Sequence, residues 1–219
     1  MLQLDVRVFI YFCLLLPVYG FDSMQIRKVE SMNSLKTNIN TEFTLLGGGC
    51  FWCMEAVFQR LEGVTSVKSG FSGGHVKNPS YRQVCDEDTG HAEVICVEFD
   101  PDKISFEDIL SVYWQAHNPT TLNRQGNDVG PQYRSVIFYT SEQQRKEALA
   151  SIQEAQKHFD EPIVTQVEPF ESFYPAEDYH EDYYARNKTQ PYCNLVISPK
   201  LKKLEEKKII PTVDKEAKK

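Results

Sequence analysis

The sharpest chemistry in this chain is a pair of thiols, in Gly47-Gly48-Gly49-Cys50-Phe51-Trp52-Cys53. The three glycines let the backbone turn tightly, and the apolar spacing that follows predicts a helix beginning at Cys50. A thiol at a helix N-terminus faces unpaired backbone N–H groups and the positive end of the helix dipole, and both favour the nucleophilic thiolate. Cys53 lies three residues on, on the same helical face and within disulfide reach. A zinc knuckle would need a second close cysteine pair. Cys85 and Cys96 are too far apart for that, so no metal site is expected. Two readings stay open on spacing alone: a thioredoxin-like C-x-x-C redox motif, and a nucleophilic thiol beside an aromatic wall made by Phe51 and Trp52.

Other residue types with chemical potential are scattered. Glu93, in Gly90-His91-Ala92-Glu93, stands at the mouth of a strand, where the ordinary expectation is a solvated carboxylate. If its face packs on helices, it becomes a buried, neutral acid able to donate a proton. Asp128 and Tyr133 lie in a loop feeding a strand, and Tyr81 lies in another long loop; each reads by itself as a turn or surface residue. His180 reads as a packed or solvated helix residue. Cys193 is a late cysteine in a mobile segment, inert unless it swings in to meet an oxidised Cys50.

The elements that must position these groups follow from periodicity. Thr41–Leu46 is a β-prone run, and Phe51, Met54, Val57, Phe58 and Leu61 mark the first helix, stopping at Gly63. Val64–Phe71 and Ala92–Phe99 read as strands around the long polar loop 75–89. In the second of these, Val94 and Cys96 face one side, and Glu93, Ile95, Val97 and Phe99 the other. Ser105-Phe106-Glu107-Asp108 is a capping box opening a helix that stops at Asn118-Pro119. A polar loop, 120–131, leads to a strand at Ser135–Tyr139. An amphipathic helix runs from Ser141 to about Phe159, a strand covers Ile163–Phe170, and a tyrosine-rich helix covers Pro175–Asn187. The order predicts an α+β fold: a ferredoxin-like β-α-β-β-α-β two-layer sandwich with a mainly antiparallel sheet and extra C-terminal elements.

The whole chain of 219 residues accommodates one domain with extensions. Its net charge of −7 argues against a nucleic-acid partner. Val8–Leu16 is too short an apolar run to span a bilayer, so no stable membrane anchor is expected. With Val18-Tyr19-Gly20 after it, it suits a secretory leader over 1–20, the alternative being a cytoplasmic protein started from Met24 or Met32. Residues 21–40 read as a linker, 41–200 as the catalytic or redox domain, and 201–219 as a solvated tail; residues 200–219 carry eight lysines against four acids. Nothing in the pattern demands an oligomer, so a monomer is expected. The Asn187-Lys188-Thr189 sequon would matter only in the secretory pathway.

Together the segments resemble the peptide methionine-S-sulfoxide reductase (MsrA) family over roughly Phe43 to Lys203. The resemblance rests on Gly49-Cys50-Phe51-Trp52, on Gly73-Gly74 with Asn78-Pro79-x-Tyr81, and on Gly90-His91-Ala92-Glu93-Val94. It continues in Asp128-x-Gly130-x-Gln132-Tyr133-Arg134-Ser135 and in Phe173-x-Pro175-Ala176-Glu177-Asp178-Tyr179-His180. It implies that Cys50 attacks the sulfoxide sulfur, that Phe51 and Trp52 hold the substrate methyl group, and that Glu93 is the acid toward the sulfoxide oxygen. Tyr81 and Tyr133 would donate to that oxygen, and Asp128 would help hold the pocket. It further implies a sulfenic acid on Cys50, an intramolecular disulfide, and regeneration by thioredoxin with no bound cofactor. The substrates would be oxidised proteins or peptides. Many family members have glycine where Cys53 stands, so the expected resolving thiol is Cys53 first and Cys193 second. The alternative from another class is a non-catalytic secreted thiol-redox or binding module, or a thioredoxin-like disulfide oxidoreductase.

Overall fold

In the computed structural model, the structure describes residues 41–86 and 88–212. The leader at 1–20, the linker at 21–40 and the last seven residues of the tail lie outside the described residues. The central strand β1 (Glu42–Gly48) is antiparallel to β3 (Ala92–Phe99) on one side and to β6 (Ser135–Tyr139) on the other. β2 (Val64–Ser72) pairs antiparallel with β3, and the two-residue β8 (Tyr174–Pro175) extends that edge. At the other edge β7 (Gln166–Pro169) runs parallel to β6, as a strand returning through a helix must. The result is a six-stranded mixed sheet in the order β7-β6-β1-β3-β2-β8. Strands β4 (Arg124–Gln125) and β5 (Asp128–Val129) form a separate small hairpin inside the second polar loop.

The period-two pattern sorts the sheet's side chains as expected. Leu46, Ile95, Val97, Phe99 and Ile137 face the main core. There they meet Met54, Val57 and Phe58 of α1 (Phe51–Phe58) and Ile109, Leu110 and Tyr113 of α3 (Phe106–Ala116). Ala148 of α4 (Glu142–Gln156) and Leu201 and Leu204 of α6 (Ser198–Glu206) complete that core. Leu45, Val94, Cys96, Val136 and Phe138 face the opposite side, where Phe43, Phe170 and Phe173 cover them. Helices thus lie on one face, and Phe43 of β1 with the loop residues Phe170 and Phe173 on the other.

The caps follow their sequence signals. Asp108 N–H donates to Ser105 Oγ at 3.0 Å, and Ser105 N–H donates back to the Asp108 carboxylate at 3.2 Å. The same device opens α2 (Tyr81–Cys85) inside the loop read as structureless: Ser80 caps it and Gln83 closes the box. α4 stops at Gln156, short of Phe159.

The tyrosine-rich segment is not one helix. After β8 it makes a 3₁₀ turn (Asp178–His180) and then the single turn α5 (Tyr183–Arg186). Asp182 separates them with a left-handed φ of 53°, which no helix propagates. The Lys-rich tail also differs from expectation as far as Ile210. A π-helical turn (Cys193–Ile197) leads into α6, whose Leu201 and Leu204 are buried, as is Ile210 beyond it, and Glu205 pairs with Arg60 in the turn after α1. The lysines occupy the outer face of an amphipathic turn, so composition alone concealed the buried leucines.

Candidate active site

Cys50 is the N-cap of α1, and its carbonyl accepts the N–H groups of Cys53 at 3.1 Å and Met54 at 3.4 Å. It is only 7% exposed. The turn before it depends on Gly49, whose φ is +94°; a Cβ there would also meet the Gln125 side chain at 2.5 Å. Beneath the turn, Tyr113 donates its hydroxyl hydrogen to the Gly47 carbonyl at 2.7 Å. His117 lies 2.8 Å from the Tyr113 carbonyl through Nδ1 and 2.7 Å from Ser135 Oγ through Nε2. Since a carbonyl only accepts, Nδ1 carries the proton and Nε2 accepts from the serine. Burial pushes His117 down to about 3, so this support under the nucleophile stays neutral.

Glu93 is not solvated. It is 1% exposed on the helix-facing side of β3, and Phe51 N–H donates to its Oε2 at 3.1 Å. Burial pushes the carboxyl up to about 8, with the Asp128 and Cys53 charges adding and the Phe51 N–H opposing. At neutral pH it is a carboxylic acid with a proton to give. Burial, and then the Glu93 charge, also raise the hydroxyls of the half-buried Tyr81 and Tyr133, so both remain donors. Tyr133 feels Cys50 and Asp128 as well. The structure therefore gathers Cys50, Glu93, Tyr81, Tyr133 and Asp128 around one space, although they come from four separate stretches of chain.

The two thiols are free, and each shifts the other's titration. Helix position predicts a thiolate on Cys50, but burial outweighs it. Burial pushes Cys50 well up, with the Cys53 hydrogen bond and the Glu93 charge acting in the same direction. Cys53 is the member brought down, to about 7, first by the hydrogen bond from Cys50 and then, against burial, by the positive charge of Lys200 and the Tyr192 hydroxyl. The pair holds one proton and one negative charge near neutrality, with Cys53 placed to take the Cys50 proton. Cys193 is not on a mobile segment: it is fully buried in the core cluster that holds Cys50 and Cys53, and it feels the Cys53 charge.

Phe51 is buried, packing against Phe71 and His180 with ring centroids 5.8 and 5.0 Å away, while Trp52 is the half-exposed member of the pair. Tyr183 stacks flat on Trp52, 3.6 Å between centroids and 6° between planes. Trp52 Nε1–H donates to His180 Nδ1 at 3.0 Å. Accepting there leaves the His180 proton on Nε2, facing Glu177 Oε2 at 3.8 Å. Burial holds His180 below its ordinary range, so the acceptor persists.

Sequence reasoning missed three of these groups. His180 lies within a quoted motif but reads as ordinary packing. Tyr183 is one tyrosine among many. Tyr192, noted only as the neighbour of Cys193, donates to Asp128 Oδ2 at 2.7 Å and lies 3.7 Å from Cys53 Sγ. The sole signal was its adjacency to a cysteine. Cys85, assigned a structural role by default, lies close enough to Tyr81 for each to perturb the other's titration. Cys96 is buried on the opposite face of the sheet. Among the described residues no cluster of three or more His, Cys, Asp or Glu is arranged to hold a metal ion.

A buried acid, a thiol pair, tyrosine donors and an aromatic wall suit attack on a polar, weakly electrophilic centre whose leaving oxygen must be protonated. Comparisons with known proteins point the same way. Residues 42–212 match the family model described as peptide methionine sulfoxide reductase. The peptide methionine sulfoxide reductase MsrA of Saccharolobus solfataricus is 58% identical over 162 residues, covering 74% of this chain and 92% of that protein. That of Leptospira borgpetersenii is 57% identical over the same shares. Among solved structures, the reduced form of Mxr1 from Saccharomyces cerevisiae superposes with a TM-score of 0.67 at 32% identity, covering 72% of this chain and 94% of that one. Methionine sulfoxide reductase A of Corynebacterium diphtheriae gives 0.65 at 32% identity, covering 71% and 79%.

Proposed function

We propose that the chain, which belongs to the peptide methionine sulfoxide reductase MsrA family and is a peptide-methionine (S)-S-oxide reductase, performs that reaction with Cys50 as nucleophile and Glu93 as acid. The single observation that carries the assignment is the neutral Glu93 carboxyl tied at 3.1 Å to the first N–H of the helix that Cys50 caps. The sulfoxide oxygen enters between Glu93, Tyr81 and Tyr133, and the methyl group lies against Trp52, with Phe51 behind it. Cys53 takes the Cys50 proton. The Cys50 sulfur attacks the sulfoxide sulfur as Glu93 protonates the oxygen. The oxygen then passes to Cys50, leaving a sulfenic acid and releasing methionine.

Resolution falls first to Cys53. Its sulfur attacks the sulfenic sulfur, water leaves, and a Cys50–Cys53 disulfide forms. The placement of the two thiols on one helical turn, each shifting the other's titration, supports this order. Cys193, buried next to the pair, is the second acceptor, taking the bridge over by exchange with Cys53. An external dithiol, for which we assign thioredoxin, returns the enzyme to its reduced form, and oxidised proteins or peptides are the substrates. We read the strands β6-β1-β3-β2 with α1 and α3 as the ferredoxin-like split unit carrying the site, and the secretory leader remains our assignment for location.

The test is turnover of the separated S and R epimers of a methionine-sulfoxide peptide with dithiothreitol, with Cys50→Ser alongside. Conversion of the S epimer alone, lost in Cys50→Ser, is expected; no loss in that variant would overturn the nucleophile. Peptide mapping after one turnover without reductant is expected to find Cys50 joined to Cys53. A Cys50–Cys193 bridge in a Cys53→Ser protein with undiminished cycling would reverse the order of the resolving thiols.

A further inference from the structure

Glu55 has no part in the chemistry above, yet it is a carboxylate only 1% exposed on the helix that Cys50 caps. Its two oxygens are both used. Oε1 accepts the Asp182 N–H at 2.9 Å and Oε2 accepts the Tyr183 N–H at 3.3 Å. Asp182 is the left-handed residue that breaks the segment, and its own carboxylate accepts from Gln59 Nε2 at 3.0 Å. Glu55 in α1 and Gln59 at its C-cap therefore grip one peptide stretch through two side chains a turn apart. The Glu181 carboxylate accepts Ser69 N–H at 2.9 Å and ties that stretch to β2 on its other side. From this stretch come two partners of Trp52, Tyr183 on its face and His180 on its indole nitrogen; Tyr192 meets the ring edge-on from elsewhere.

Burying a carboxylate among like charges is unfavourable. Desolvation, with Glu181 and Asp182 adding, pushes Glu55 up to about 7. An apolar side chain would fill the same volume without that cost, but it would leave the Asp182 and Tyr183 N–H groups unpaired. The placement makes sense as a device for holding those two groups, and through them the ring at 183.

We propose that Glu55 is a positioning residue for the substrate pocket: it fixes the 182–183 backbone so that Tyr183 lies flat on Trp52 and holds the indole as the wall against the substrate methyl group. This rests on the assignment of Trp52 as that wall. Losing the clamp weakens binding of the substrate and leaves the reacting groups Cys50, Glu93, Tyr81 and Tyr133 in place. The signature is therefore in KM rather than in kcat.

The experiment measures kcat and KM for a methionine-S-sulfoxide peptide in wild type, Glu55→Ala, Glu55→Gln, Tyr183→Ala and Glu55→Ala/Tyr183→Ala. Trp52 emission is recorded for the same set in a Trp114→Phe background. Glu55→Ala is expected to raise KM up to about tenfold, the most an aromatic pair of this kind contributes, with kcat within about twofold. Tyr183→Ala reproduces the effect, and the double variant adds nothing to it. Glu55→Gln, which keeps one accepting oxygen, recovers part of the loss. Trp52 emission shifts in Glu55→Ala and Tyr183→Ala alike.

Additive effects, an unchanged KM, or a fall in kcat at constant KM would each overturn the proposal. If Glu55→Ala does not fold, Glu55→Gln takes its place: KM raised about threefold and non-additive with Tyr183→Ala supports the clamp, and KM unchanged overturns it. Absence of S-epimer turnover in the wild type would instead strike the functional reading itself. The Trp52 emission of the variants then still decides whether Glu55 holds the stack.

Discussion

Replacing Glu93 with glutamine should abolish the reaction and stabilise the protein, and the second effect is the sharper test of the burial argument. The carboxyl is raised from 4.5 to about 8 by its burial. At about 1.4 kcal/mol per pH unit, that corresponds to on the order of 5 kcal/mol of stability. The sign follows from the folded value lying above the unfolded one. The contribution is full below about pH 4.5 and is lost as pH rises through about 8. Wild type should therefore weaken steadily between those limits, whereas Glu93→Gln keeps a neutral group that can still accept the Phe51 N–H. Urea unfolding of both proteins at intervals from pH 5 to pH 9 measures this. The two curves should lie within about 1 kcal/mol of each other at pH 5 and diverge by several at pH 9, with the variant above. Glu55 titrates in the same direction but is present in both proteins and cancels in the difference. Parallel curves across the range would refute the claim that Glu93 is a neutral buried acid, and with it the proton source assigned to the reaction.

The pH dependence of turnover should be a narrow bell. The acid limb lies near 7, where the thiol pair gains its second proton, and the alkaline limb near 8, where Glu93 loses its own. Stopped-flow rates of the first turnover across pH 5.5–9.5 would test this, and a flat profile would contradict both assignments. Tyr192→Phe removes the hydroxyl that bonds Asp128 and lies 3.7 Å from Cys53, so Cys53 should titrate higher and kcat/KM should fall about tenfold. The pH dependence of iodoacetamide alkylation reads the first effect directly. Gly49→Ala forces a side chain into a left-handed backbone against Gln125 and should cost about 1–3 kcal/mol, with a larger loss of activity because the same turn aims Cys50. Leu204→Ala, in the docked C-terminal helix, should lower stability by about 2–4 kcal/mol in thermal or urea unfolding; no change would mean the helix is not held.

The sequence was most readable where one local pattern decides the outcome. Alternation along Ala92–Phe99 separated Ile95 and Val97 from Val94 and Cys96 onto opposite faces, as the structure has them, and Ser105-x-x-Asp108 marked a helix start. The same alternation put Glu93 on the face of Ile95 and Val97 without saying what covers that face, and spacing alone favoured a solvated carboxylate, because strand ends usually face water. Only the packing of α1 above that position removes the water. The segment after Pro175 misled because its composition suits a helix, while its hydrogen bonds go to Glu55, Trp52 and Ser69, all more than a hundred residues away. No local pattern records such partners. Tyr192 was invisible for the same reason. Ser80-x-x-Gln83 is different: it is as local a signal as Ser105-x-x-Asp108 and would have revealed α2. The lysines of the tail hid Leu201 and Leu204 because net composition carries no phase, whereas a helix sorts residues by angle.

The walls around the two thiols come from opposite ends of the domain, and this sets an order of events during synthesis. Cys53 and Tyr192 stand 139 residues apart in the chain, and Trp52 and its partner His180 stand 128 apart. At ribosomal speeds of about 5–20 residues per second, the nucleophile leaves the ribosome roughly 7–30 seconds before the residues that enclose it. Through that interval Cys50 and Cys53 have neither Tyr192 nor the 180–183 stretch over them. A nascent chain exposed to peroxide should therefore oxidise at these thiols far more readily than the finished protein, and pulse labelling of stalled chains of increasing length would locate the residue at which the thiols become shielded.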